Sequence, residues 1–206
     1  MGAVFNLEAL LDARTVWRGQ PQHVPASALH PTGHALLDAS LPLGGWPQAA
    51  LTELLVPLDG MGELALLFPT LARLTQAGDR VTLVAPPYRV HAPGWHHAGI
   101  DLNQLQVIKA APRDALWATE QCLRSGACAA VLCWPHQADD RALRRLQVAA
   151  ETGQCLGFAF RDSRQARNPS PAALRVQVDT DYQLRVLKCR GGLAPARPIP
   201  FAGTWQ

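Results

Sequence analysis

From residue 50 onward the chain alternates between two hydrophobic periods. Ala50-Leu51-Thr52-Glu53-Leu54-Leu55 is an apolar run of strand length. Glu63 to Gln76 then sets Leu64, Leu67, Leu71 and Leu74 along one helical face, and Gly78 closes that helix. The exchange repeats with strands over Val81–Ala85 and Gln106–Ile108, a helix over Asp114–Ser125, a strand over Ala129–Trp134, a helix over Asp139–Glu151 and a strand over Cys155–Phe160. Strands alternating with helices of this length predict an α/β fold with a mostly parallel central sheet covered on both faces. The rhythm changes at Ala173–Val178 and Tyr182–Lys188, two short alternating runs around Asp179-Thr180-Asp181 that read as a hairpin on the sheet edge.

The flanks follow other rules. Leu7 to Trp17 has helical apolar spacing, and the stretch from Arg18 to Pro31 is rich in Pro, Gln and His, as in a linker. Residues 1–31 therefore read as an amino-terminal helix and arm, 32–190 as the core and 191–206 as a Gly/Pro-rich tail that finishes as an extended strand or stays an arm. A chain of 206 residues suits one core of this kind. It has neither an apolar run of roughly 18 residues nor a basic, long-centred leader, so the expectation is a cytoplasmic protein without membrane contact.

Charge refines the picture. The net charge is only +3, yet residues 1–138 hold 8 Lys and Arg against 10 Asp and Glu, and residues 139–206 hold 11 against 6. The carboxy-terminal third is thus the candidate for an acidic partner. Arg144 and Arg145 lie on the helix from Asp139, Arg161, Arg164 and Arg167 lead into the loop up to Pro171, and Lys188 and Arg190 end the hairpin. These are the candidate contacts for single-stranded DNA or an acidic protein surface, through salt-sensitive phosphate or carboxylate pairing. Trp17 and Arg18 are residue types enriched at interface hot spots, and they make the amino-terminal helix a candidate docking element. The five cysteines lack C-x-x-C spacing and read as reduced core residues, while Trp95-His96-His97 reads as a polar loop with no matching acid or Cys cluster.

The chemistry centres on Val56-Pro57-Leu58-Asp59-Gly60-Met61-Gly62-Glu63-Leu64 between strand and helix. A phosphate-binding loop needs a Lys for the β/γ-phosphates and a Ser or Thr for Mg²⁺. Here Pro57 stands at the first Gly, Gly62 at the second, Glu63 at the Lys and Leu64 at the Ser/Thr, with Gly60 between them. The two acidic positions of a recombinase-type ATPase fall on Pro87 and Trp134. This degenerate P-loop predicts a protein that is not an enzyme and holds no nucleotide, metal or other cofactor.

A wider set of residues carries a resemblance: Trp17-Arg18-Gly19, Thr32-Gly33-His34-Ala35-Leu36-Leu37-Asp38, Leu41-Pro42-Leu43-Gly44-Gly45-Trp46-Pro47, Ala85-Pro86-Pro87-Tyr88, Leu143-Arg144-Arg145-Leu146-Gln147 and Leu187 to Gly192. Together they resemble the ImuA family, and more distantly the RecA core and the division inhibitor SulA. The resemblance implies a RecA-like three-layer core and a damage-induced, non-catalytic adaptor in error-prone translesion DNA synthesis. The implied partners are an ImuB-like inactive Y-family polymerase homologue, an error-prone polymerase III alpha-type subunit and RecA. The alternative that it implies is a SulA-like inhibitor of the division GTPase.

Overall fold

A computed structural model describes residues 30–201 apart from Met61, His136 and Tyr182. The expected helix at residues 7–17 and the docking candidates Trp17 and Arg18 lie outside the described residues.

Eight strands form one sheet: β1 (Leu51–Val56), β2 (Val81–Val84), β3 (Leu105–Ile108), β4 (Ala130–Cys133), β5 (Leu156–Asp162), β6 (Leu174–Val178), β7 (Gln183–Cys189) and β8 (Ile199–Pro200). Their order is β3-β2-β4-β5-β1-β6-β7-β8, with the pairs from β3 to β6 parallel and the last two antiparallel. The mixed α/β expectation therefore holds, with a mostly parallel sheet. The carboxy-terminal hairpin is β6–β7, but it is not the edge, because β8 adds beyond it and draws Ile199 and Phe201 into the core.

Helices cover both faces. On one side lie α1 (Ala35–Ser40), α2 (Phe68–Gln76) and α3 (Ala92–His97); on the other lie α4 (Pro112–Arg124) and α5 (Asp140–Gly153). Strand β4 and the residue after it show the division: Ala130, Leu132 and Trp134 join the α2 side while Val131 and Cys133 join the α5 side. Gln147, whose polarity suggests a solvated position on α5, is instead buried and accepts the Leu51 N–H at 3.0 Å, tying helix to central strand.

Three local differences from the sequence pattern have steric causes. The single helix expected from Glu63 is a 3₁₀ turn (Glu63–Leu66) followed by α2, since Pro69 has no N–H and fits only the first turn of a new helix. The segment with Trp95-His96-His97 is α3 rather than a polar loop: His91 Nδ1 accepts the Gly94 N–H, and Trp95 packs edge-on against Phe68 at 5.4 Å. Finally, α1 is too short to show a period; Asp38 stabilises it by accepting the Thr32 N–H at 2.8 Å.

Candidate functional site at the carboxyl ends of the strands

Because β1, β2 and β4 run parallel, the segments that follow them emerge on one edge of the sheet, where open α/β sheets place their ligands. Glu63, Pro87 and Trp134 all lie in the segments that follow these strands.

The loop after β1 turns on Gly60 and Gly62, with φ of +86° and +87°, a conformation costly for any residue with a Cβ. That geometry points Glu63 back over the loop. Its Oε1 accepts the Gly60 N–H at 2.9 Å, and the side chain is buried with Oε2 unpartnered among the described residues. The carboxylate thus occupies a loop N–H that an anion would need and adds a negative charge that would repel one. Leu64 turns into the core, while Pro57 is half-buried.

Tyr88 and Trp134 form the next layer. The Trp134 indole stacks on Phe160 at 4.9 Å and 12°, and the Tyr88 ring meets Trp134 edge-on at 5.8 Å. Burial, aided by the carboxylates of Glu63 and Asp59, pushes the Tyr88 phenol upward, so it remains a protonated donor at neutral pH. Its hydroxyl and the Trp134 Nε1–H are both buried without an acceptor among the described residues. Each such donor costs about 1–3 kcal/mol when nothing accepts from it. Pro87 stays exposed beside them.

The arginines expected at an acidic partner divide into two groups. Arg161 is removed from the surface set because it is buried: its guanidinium meets Glu53 at 2.6 Å and donates to the Ala138 carbonyl at 2.6 Å. The others stay exposed but mostly engaged. Arg144 faces Asp140 at 3.6 Å, Arg164 holds Asp162 at 2.7 Å, Arg190 reaches Glu151 at 3.3 Å, and Arg145 pairs with buried Glu120, which also takes Arg124 at 2.7 Å. Hydrogen bonds from Arg164 hold the Asp162 carboxyl below its usual range. Lys188 donates to the Ser170 carbonyl at 2.8 Å, and burial with Arg175 and Arg190 nearby lowers its pKa. Arg167 is exposed with no ion pair among the described residues.

Sequence reading missed the buried centre. Glu53, fully buried in β1, takes Arg161 on Oε1 and Arg175 on Oε2, each at 2.6 Å. Arg175 also donates to the carbonyls of Gln165 and Asn168, at 2.9 and 3.0 Å, which fixes the 3₁₀ turn Ser163–Arg167 against the sheet. A lone carboxylate inside the apolar run 50–55 was the available signal, since such a charge requires a partner. Among the described residues, no three His, Cys, Asp or Glu side chains gather as a metal would need, and no helix is long and apolar enough to cross a membrane.

Comparison with known protein families gives a match to one of them. The family model described as Cell division inhibitor SulA matches residues 51–157, just over half of the 206 residues. The crystal structure of SulA from Pseudomonas aeruginosa aligns over 56% of this chain and 98% of its own, with 28% identity and a TM-score of 0.46. No curated protein matches the chain.

Proposed function

We propose, on the premise that this chain belongs to the SulA family, that it is a DNA-damage-response regulator which acts by occupying a protein surface, as a cell division inhibitor does. The observation that carries the non-catalytic part is the Glu63 carboxylate folded onto the Gly60 N–H, in the place a triphosphate would need. With Pro87 and Trp134 at the other two positions, the edge offers apolar and donor surface rather than an acid to activate water. The partner in this reading is the division GTPase. Purified chain added to the polymerising GTPase should lower light scattering in proportion to its concentration; unchanged polymerisation at several-fold excess would remove the reading.

A second reading is favoured by residues outside the matched segment. Segments 30–50 and 158–201 are knitted into the same core: Trp46 is buried against Phe158 at 5.2 Å, and His34 meets Phe201 edge-on at 5.1 Å. These segments carry much of the resemblance to the ImuA family, whose RecA-like core would serve as an adaptor. In that role the chain assembles an ImuB-like polymerase homologue with an error-prone polymerase subunit, near RecA or single-stranded DNA. Co-purification with the ImuB-like protein, followed by size exclusion with light scattering, separates the two readings. A complex of defined mass selects the adaptor, and separate elution with active inhibition of the GTPase selects the inhibitor.

A further inference from the structure

The loop of Gly60 and Gly62 does not account for a neighbouring feature on the same edge. Between the segment after β2 and the start of α4 runs a groove of about 1070 Å³. Ala85, Val107, Leu116 and Trp134 give it an apolar lining, and prolines 86, 87, 112 and 135 stiffen its walls. Its charged lining residues are Arg89, Lys109 and Arg113, with no carboxylate among them. All three are exposed. Arg113 meets only its solvent-open neighbour Asp114, at 3.4 Å, and Arg89 and Lys109 have no ion pair among the described residues.

This convergence runs against its surroundings, since residues 1–138 hold 8 cationic side chains and 10 acidic ones. One turn beyond Arg113, on the same face of α4, Trp117 is 63% exposed, and Val107 on β3 is 42% exposed.

We propose that this groove docks an acidic segment of a partner protein, whose apolar side chains rest on Val107, Leu116 and Trp117 and whose carboxylates pair with Arg89, Lys109 and Arg113. Single-stranded DNA would match the charge but not the surface. Bases need open aromatic faces, and Trp134 is already stacked on Phe160 with Tyr88 against it, which leaves Trp117 as the one strongly exposed aromatic ring of the described groove region. The proposal rests on the reading that the chain works by protein contact, and names the surface and the chemistry that recognise it.

The test is selection of a random dodecapeptide display library on the intact chain. The best peptide, and an oligothymidylate of about 20 nucleotides, are then titrated by fluorescence anisotropy against wild type, Trp117→Ala and the double variant Lys109→Glu/Arg113→Glu. These are exposed positions, and circular dichroism verifies that the variants fold. The expected result is enrichment of peptides with Asp or Glu flanking an aromatic or Leu, and loss of affinity of about tenfold or more in both variants. Failure to enrich, peptides without acids, or equal binding by the double variant would overturn the proposal. So would oligothymidylate binding that disappears in the double variant while peptide binding does not. The assay needs neither the division GTPase nor a polymerase partner, so its failure is distinct from failure of the functional reading.

Discussion

Glu53 and Arg161, 108 positions apart in the chain, are joined at 2.6 Å between side chains that are both sealed from solvent. Arg175 completes the group on the other carboxylate oxygen. Removing the carboxylate strands two buried cations, which costs far more than the net worth of the pairs. Glu53→Ala should lose roughly 3–5 kcal/mol in chemical denaturation, whereas the triple change Glu53→Leu, Arg161→Met, Arg175→Met should recover most of it. A loss under about 1 kcal/mol in the single variant would mean that the group is open to water in solution.

Glu63→Lys would restore the charge that a phosphate-binding loop uses. It should still not hydrolyse ATP, because Pro87 and Trp134 supply no acid at the other two positions. A phosphate-release assay decides this, and turnover in the wild type that disappears on substitution of Gly62 would contradict the non-catalytic reading.

His30 makes stability depend on pH. Burial first, then Arg73, lower its pKa below 6.5, with Asp79 opposing. The unfolded chain therefore takes up the proton more readily than the folded one. The contribution of His30 is complete above pH 6.5 and is lost as pH falls below that value. Melting temperatures measured down through this range should fall, and His30→Asn should flatten the dependence.

Gly45 lies where backbone approaches backbone. A Cβ there would sit 2.2 Å from the His30 carbonyl oxygen, which accepts the Trp46 N–H at 2.7 Å. Gly45→Ala must break that bridge and shift Trp46, whose indole donates to the Thr70 hydroxyl at 2.8 Å. The expected cost is about 2–4 kcal/mol, read as a lowered melting temperature with loss of near-ultraviolet Trp signal.

Thiol reactivity should follow burial. Burial pushes Cys133 up to about 12 and raises Cys155 as well, and Cys128 is also buried. Under native conditions a disulfide reagent should modify Cys122 and Cys189 slowly, with the other three reacting only after unfolding. Mass spectrometry of the labelled chain reads the order.

Much of the fold was legible because its strands are buried on both faces. Leu51 to Leu55 and Val81 to Val84 read as strands because their apolar runs lie between turn signals. What escaped was set by single contacts rather than by periods. The helix Ala92–His97 depends on the cap from His91 and on Trp95 finding Phe68, and neither leaves a repeating pattern. The break at Pro69 was readable, but the leucine spacing runs straight through it. Of the loop, Glu63 was found through its template position, while Arg161 was misplaced because one-dimensional charge does not say that Glu53, four strands earlier in the sequence, lies on the neighbouring strand β1. The groove cations are scattered as Arg89, Lys109 and Arg113, and only the parallel course of β2 and β3 brings them together.

The strand order has a consequence for self-association. One margin of the sheet ends in β8, two residues long and finishing in Pro200, which has no N–H to offer another chain. Further growth by strand addition is blunted on that side. Among the described residues the opposite margin is β3, where polar Gln106 and cationic Lys109 bracket the exposed Val107. Among the described strands, edge-to-edge pairing of copies is thus left to β3 and opposed there by the repulsion between their own lysines, so these few residues act as a safeguard against aggregation.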